Sequence, residues 1–229
     1  WVIVTDFLPS QKREQADVVL YRVNAKTAKS QKVAFSPIGN GQFTLTRDGE
    51  PRVASGGVGY RQSEVHYYDA DSKSWRKIQS EKDSGLTMNP WVMHGDNERF
   101  YAVMPEKTGP HGLYLVDPNG NRELVIRDEV SDPSGPVMSL DGKEVIAVEF
   151  NSTMPKRHWL LPDHPDAIIL KSLQQSFPGQ WVSFSNATDD GKTIVFTVRS
   201  DRNAGEFFMY ERDTGKATYL ASVRQWMDP

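Results

Sequence analysis

The residues of this chain that could do chemistry are few, and they do not form a familiar catalytic set. The five histidines are His66, His94, His111, His158 and His164, and cysteine is absent. No histidine pair has the i,i+4 spacing of a helical zinc site, and thiolate chemistry is excluded. His158 and His164, with Asp163 and Asp166 beside them, come nearest to a metal cluster, but an ordinary loop accounts for them better. The sequence predicts no metal and no cofactor. Ser55-Gly56-Gly57 sets a serine beside glycines but lacks the Gly-x-Ser-x-Gly form of a nucleophile elbow, a form found nowhere in the chain. A turn between strands is the expectation there. Arg202, flanked by Asp201 and Glu206, offers a planar fork of donors suited to a carboxylate. Arg202 and Glu206 are therefore the substrate-binding candidates, against the plainer expectation that an Arg202–Asp201 pair fixes the loop. Arg61, Glu64 and Glu106 are similar candidates on inter-strand loops. Asn151-Ser152-Thr153 and Asn186-Ala187-Thr188 match the short glycosylation pattern and are assigned no role.

The elements that would carry these residues announce themselves by repetition. Asp48-Gly49, Asp96-Asn97, Asp141-Gly142 and Asp190-Gly191 each precede a β-rich run such as Ile194-Val195-Phe196, and they lie 48, 45 and 49 positions apart. Calcium loops gather their oxygen ligands within about twelve residues, so single aspartates at this spacing read as turn formers. A second half recurs too: strand, Asx or Gly turn, strand. It appears around Asn24-Ala25-Lys26-Thr27, Asp71-Ser72-Lys73-Ser74, Pro118-Asn119-Gly120-Asn121 and Asp213-Thr214-Gly215-Lys216. A repeat in the forties built from four-stranded antiparallel units predicts an all-β fold, a partial β-propeller of about four and a half blades. The expected blades are 1–34, incomplete because its inner strand is missing, then 35–80, 81–128, 129–176 and 177–222. The four aspartates should occupy equivalent turns between first and second strands. One short helix is predicted near 165–176, where Pro165 suits a first turn and Pro178-Gly179 a stop. It would replace an outer strand or bridge two blades.

Composition narrows the function classes. The chain has 229 residues, 38% hydrophobic and 25% charged, with a net charge of −3. This is a globular composition without the basic footprint of a nucleic-acid binder. No run approaches the roughly 18 apolar residues needed to span a bilayer, and Trp1-Val2-Ile3-Val4 is too short and lacks a basic leader for a signal peptide. No nucleic acid and no membrane is expected among the partners. The absence of cysteine suits a bacterial-type cytoplasm or periplasm equally.

From Phe177 onward a resemblance emerges. Ser200-Asp201-Arg202-Asn203-Ala204-Gly205-Glu206-Phe207-Phe208-Met209-Tyr210, followed by Leu220-Ala221-Ser222-Val223-Arg224-Gln225-Trp226-Met227-Asp228-Pro229, resembles the end of the propeller in prolyl oligopeptidase family serine peptidases. The acylaminoacyl-peptidase and dipeptidyl-peptidase-like members are the most similar subgroup. Asp163-His164-Pro165 before a short helix also looks like that subgroup, whereas Ala204 stands where the family pattern has proline. The resemblance implies a non-catalytic propeller that screens peptide entry to an α/β-hydrolase domain, with 223–229 as the start of the linker to that domain. It also implies that Arg202 and Glu206 face the substrate cavity and hold a peptide terminus. The partners would be that hydrolase domain, the missing blades and peptide substrates, with self-association through open blade edges. Two other classes compete. Asp190-Gly191-Lys192-Thr193-Ile194-Val195-Phe196-Thr197 also resembles the repeat of the periplasmic Tol-system propeller, which would make this a binding module without catalysis. A propeller enzyme of the lactonase or glycosidase kind would need convergent carboxylates or histidines on inner strands, and the sequence presents no clear set.

Overall fold

The computed structural model describes residues 1–10, 15–57, 62–152 and 154–224. These form five antiparallel sheets and two short helices in two compact units, Trp1–Pro133 and Ser134–Pro229. In the first unit β1 (Val2–Leu8), β2 (Asp17–Val23) and β3 (Ser30–Phe35) make a three-stranded sheet. A four-stranded sheet follows, comprising β4 (Gln42–Leu45), β5 (Pro51–Gly57), β6 (Ser63–Asp69) and β7 (Ser74–Ser80). After the single-turn helix α1 (Glu81–Ser84) comes another four-stranded sheet of β8 (Asn89–Met93), β9 (Phe100–Met104), β10 (Gly112–Val116) and β11 (Arg122–Arg127). In the second unit β12 (Pro133–Met138), β13 (Val145–Asn151) and β14 (Pro155–Trp159) form three strands, then helix α2 (Pro165–Ser176). The last sheet is β15 (Trp181–Ala187), β16 (Thr193–Arg199), β17 (Glu206–Glu211) and β18 (Lys216–Ser222). Every sheet is a meander, so neighbours in sequence are neighbours in the ladder.

The four Asp turns are equivalent, and their chemistry explains the repeat. In each, the residue two before the aspartate starts a four-residue turn: the amides of Gly49, Asn97, Gly142 and Gly191 donate to the carbonyls of Thr46, His94, Ser139 and Thr188. The donors all have positive φ, between 59° and 80° for Asn97 and Gly49 at the extremes, which is why Gly or Asn stands there. The Ser139 and Thr188 hydroxyls each donate to the following Asp141 or Asp190 carboxylate, at 2.7 and 2.6 Å, and accept from the amides that close the loop. Thr46 Oγ1 accepts from Glu50 N in the same way, and Asp96 Oδ1 accepts from the Glu98 and Arg99 amides. The hairpin turns repeat an Asx device: Asn24, Asp69 and Asp117 each take two downstream amides on one side-chain oxygen.

Alternation on the strands then places the cores. In the first unit Val53, Val65 and Tyr67 of the second sheet pack with Met93, Phe100, Ala102, Met104 and Val116 of the third. In the second unit Val145-Ile146-Ala147-Val148 is buried on both faces of β13, as a strand covered on both sides requires. The helix forms where the sequence predicts it. His164 Nδ1 accepts from Asp166 N at 3.1 Å, Pro165 occupies the first turn, and Ala167, Leu170 and Leu173 line one buried face. That face meets Val182, Phe196 and Val198 of the last sheet, while Val137 and Trp159 of the preceding sheet pack on the same cluster. Thus α2 stands in sequence where other sheets have a fourth strand, and it also bridges two sheets.

Two local expectations are corrected. The sequence predicts one helix, yet α1 adds a turn at Glu81–Ser84, ended by Gly85 at φ 72° with its amide on Glu81 O. Its Glu81 carboxylate takes both the amide and hydroxyl of Ser63, a partner 18 residues away that no local pattern reveals. Ser55-Gly56-Gly57 is no turn but the end of β5. A Cβ on Gly56 would lie 3.2 Å from Gly41 Cα, so glycine serves close backbone approach there.

The turns yield two measurable outcomes. Gly191→Ala, at φ +67° with open space around it, should cost about 1 kcal/mol for the left-handed backbone alone. Gly49→Ala should cost more in a urea titration, because its Cβ would also press on Ile3 at 2.8 Å. The second outcome concerns pH. The Asp141 carboxyl is held down at about 2 from the ordinary 3.8, chiefly by the Ser139 hydroxyl, against opposing burial and with help from Lys143. Its folded value lies below its unfolded one, so its contribution is complete above pH 4 or so and lost as pH falls through about 2. Asp141→Ala should lower the thermal midpoint at pH 7, and the difference from the native chain should shrink between about pH 4 and pH 2.

Candidate functional site

The second unit holds a cleft of about 440 Å³ between the two edge strands β12 and β15, floored by Leu170 of α2. One wall is apolar, from Val137, Met138 and Leu140; the other carries Ser183, Phe184, Ser185 and Asn186. Its charged members, Glu149 and Arg157, sit directly opposite in the β13–β14 register. The Arg157 side chain is 5% exposed and well satisfied. Nε and Nη2 both donate to Glu149 Oε1, at 3.2 and 2.7 Å, and Nη2 also donates to Val182 O at 3.0 Å. Its guanidinium lies over the Trp181 ring, 4.3 Å from the centroid, and Lys171 lies 4.9 Å over Trp159 behind it. Asp166, outside the lining itself, holds one lining residue in place: Oδ2 accepts from Leu140 N at 2.8 Å and Oδ1 from Arg212 at 2.5 Å, tying α2 to both sheets.

The residues singled out from the sequence fall elsewhere. Arg202 lies on the β16–β17 connection and Glu206 begins β17, at the end of the last sheet where Trp181 pairs with Arg199. Neither lines the cleft. The Arg202 guanidinium is exposed and pairs with none of the described residues, so the expected Arg202–Asp201 pair is absent among them. Short polar side chains hold that loop instead. Ser200 Oγ accepts from the amides of Arg202 and Asn203, and Asn203 bridges Gln180 Oε1 at 2.8 Å and Glu206 Oε2 at 3.0 Å. Asn203 Oδ1 also accepts from Gly205 N. A long exposed arginine is the poorer choice for this task, since side-chain entropy and water compete with the pair.

In the first unit, Glu64 spends one oxygen on His66 Nε2 at 3.0 Å and the other on Lys77 Nζ at 3.1 Å. Burial opposes its charge, but these two donors outweigh it and hold its pKa below the usual value. Glu106 accepts from Tyr114 Oη. Both carboxylates are thus engaged within their own sheets. Arg61 lies outside the described residues, as do Gln225–Pro229 of the proposed linker. Glu106 and Arg202 sit on the connections between the second and third strands of their four-stranded sheets, whereas Glu64, expected on a loop, lies within β6 and Glu206 opens β17, both third strands. No group of three His, Asp or Glu side chains is placed to hold a metal among the described residues. His164 caps α2, and His158 packs edge-on against Phe150 at 5.1 Å.

Sequence reasoning passed over Glu149 and Arg157, and noted Asn186 only in a glycosylation pattern without a role. Glu149 had one visible signal, a single acid interrupting the apolar run Val145-Ile146-Ala147-Val148-Glu149-Phe150. Its partner became visible only with the β13–β14 register.

No family model matches this sequence, and no curated protein matches it. Solved structures do. Similar ones include a prolyl endopeptidase at 12% identity and TM-score 0.55, covering 96% of this chain and 33% of that one. Prolyl oligopeptidase B from Galerina marginata matches at 10% identity and TM-score 0.52, over 97% of this chain and 32% of that one. A putative TolB from Agrobacterium tumefaciens matches at 16% identity and TM-score 0.50, over 97% of this chain and 81% of that one. The chain therefore spans about a third of the length of the two peptidases. The five meander sheets together with these likenesses define the class: the chain is an all-β protein with the fold of a partial β-propeller. Its neighbours in fold are propellers of prolyl oligopeptidases and of TolB.

The loop chemistry separates two variants. Arg202→Ala should leave the thermal midpoint nearly unchanged, within about 0.5 kcal/mol of stability. Asn203→Ala, which removes bonds to Gln180, Glu206 and Gly205 together, should lower it clearly in the same calorimetric scan.

Proposed function

We propose that this chain is a non-catalytic β-propeller portion of a serine exopeptidase or oligopeptidase, restricting peptide access to a hydrolase domain encoded outside these 229 residues. The observation that carries this reading is the likeness in fold to two prolyl peptidases over nearly the whole chain, at about a third of their length. The resemblance of Ser200–Tyr210 and of the 220–229 stretch to the end of such a propeller supports it. On this reading the partner domain supplies Ser, His and Asp for acyl transfer, and the propeller supplies size exclusion and one wall of the peptide cavity. The Arg202 guanidinium, with no partner among the described residues, has the free donors to meet a peptide carboxylate there, and Glu206 is tied to the same loop through Asn203.

The likeness to the putative TolB, of which this chain covers 81%, favours a second reading: a binding propeller that catalyses nothing. One experiment separates the two. Purified as these 229 residues, the chain should release no p-nitroaniline from dipeptide anilides and no product from N-acetyl-alanyl substrates. The complete protein from the same reading frame should label with a fluorophosphonate at a serine outside this stretch. Turnover by the isolated chain refutes a non-catalytic propeller, and absence of any labelled serine in the complete protein moves the assignment to the binding module.

A further inference from the structure

The cleft in the second unit has an anchoring group with unused capacity. Glu149 lines it and directs only Oε1 to Arg157; among the described residues Oε2 accepts no hydrogen bond. Arg157 makes no bond to that second oxygen. Two of its nitrogens are committed to Oε1 and Val182 O, its face is held on Trp181, and the side chain is 5% exposed against 22% for Glu149. The pair is therefore lopsided. A buried cation fixes the carboxylate in place, and the second oxygen is left accessible to solvent. A carboxylate oxygen in a half-enclosed site gains most from a charged N–H donor, because a donor with positive charge makes a shorter and stronger bond than a neutral one. Around it, Val137, Met138 and Phe184 give apolar walls for a short carbon chain, and Ser185 and Asn186 offer further polar contacts at the rim. The volume, about 440 Å³, lies in the range of small-molecule sites and admits a ligand of only a few residues' size.

We propose that this cleft binds a primary ammonium group carried on a short, mainly apolar body, with Glu149 Oε2 as the acceptor. Two sources share that chemistry: the free N-terminus of a peptide and a free alkylamine. The peptide source rests on the peptidase reading above; the alkylamine source does not. The site is separate from Arg202 and Glu206, which lie at another end of the last sheet.

The test is calorimetric titration of the 229-residue chain with n-butylamine hydrochloride, alanyl-alanine amide and N-acetyl-alanyl-alanine amide at pH 7. Saturable binding of an amine and none of the acetylated dipeptide is expected. Glu149→Gln, checked for folding by circular dichroism, should weaken the amine at least about tenfold. If that variant does not fold, Ser185→Trp leaves the Glu149–Arg157 pair intact and should abolish binding by filling the cleft. Tighter binding of the dipeptide amide than of butylamine assigns the peptide source, and the reverse assigns the free amine. Equal binding of the acetylated dipeptide overturns the proposal, as does retention of affinity in folded Glu149→Gln or in Ser185→Trp, or no saturable binding of either amine. Fluorophosphonate labelling of the complete protein reports on the peptidase reading independently of all these outcomes.

Discussion

The closure of the Asp turn that joins the first two strands of the second to fifth sheets is the constraint on which the rest of this architecture depends. A strand of four to seven residues can enter a meander only if the chain reverses within four or five positions and leaves no buried amide unpaired. Here one residue in the left-handed region makes the reversal, and an oxygen-bearing side chain supplies the acceptors that the backbone lacks. The same turns are then read by the sheet before them. In the first unit Arg22 donates to Asp48 O and Glu50, Arg52 to Asn97 O, and Tyr67 to Glu98 O. Arg76 does likewise to Pro118 O on the hairpin turn of the third sheet. In this unit the first and second sheets thus each fix a turn of the next sheet through carbonyls that a correctly formed turn presents. This couples local backbone conformation to packing between sheets, beyond the non-directional burial of Val53, Phe100 and Met104.

The second unit solves the same problem differently. Its first sheet has three strands, and α2 follows where a fourth would come. A helix has no strand edge to pair, so the connection is made by side chains: apolar contacts from Leu170 and Leu173, and the Asp166 carboxylate joining the Asp141 turn to Arg212 beyond β17. Asp166 is a buried charge, and such a group is tolerated only when both oxygens are paired, as they are here. The replacement also shapes the cleft. Leu140, held by Asp166, and Leu170, on the helix, form its end and floor, so the space between β12 and β15 is set by the same residues that substitute for the strand.

Charge placement in the cleft follows from sheet geometry. Glu149 and Arg157 are cross-strand partners, and a directly opposed pair of opposite sign is favourable on a sheet face. Trp181 and Val182 O, from the next sheet, complete the guanidinium's surroundings. The carboxylate is left with one oxygen engaged and one open, an asymmetry produced by packing between two sheets and not by the pair alone.

Much of this was legible in the sequence because its causes are local. Asp-Gly spacing, the Asx hairpin turns and the Pro165-to-Gly179 helix signals are conformational preferences of a few adjacent residues, and they determined the all-β repeat class, the equivalence of the four turns and the position of α2. The choice of Thr46, His94, Ser139 and Thr188 as acceptors repeats at the same offset and was readable in principle, though the four residue types share only a side-chain acceptor. What depended on partners distant in sequence was not legible. The Ser63–Glu81 bond that accompanies α1, the use of Gly56 for close approach to Gly41, the replacement of an Arg202–Asp201 pair by Asn203, and the meeting of Glu149 with Arg157 against Trp181 all arise from register and sheet packing. The sequence by itself determined which short segments turn, extend or coil, since those preferences act within a few residues. Only the tertiary structure decided which polar side chains are consumed by neighbours and which, like Glu149 Oε2, are left open, because that balance is struck between groups brought together by the fold.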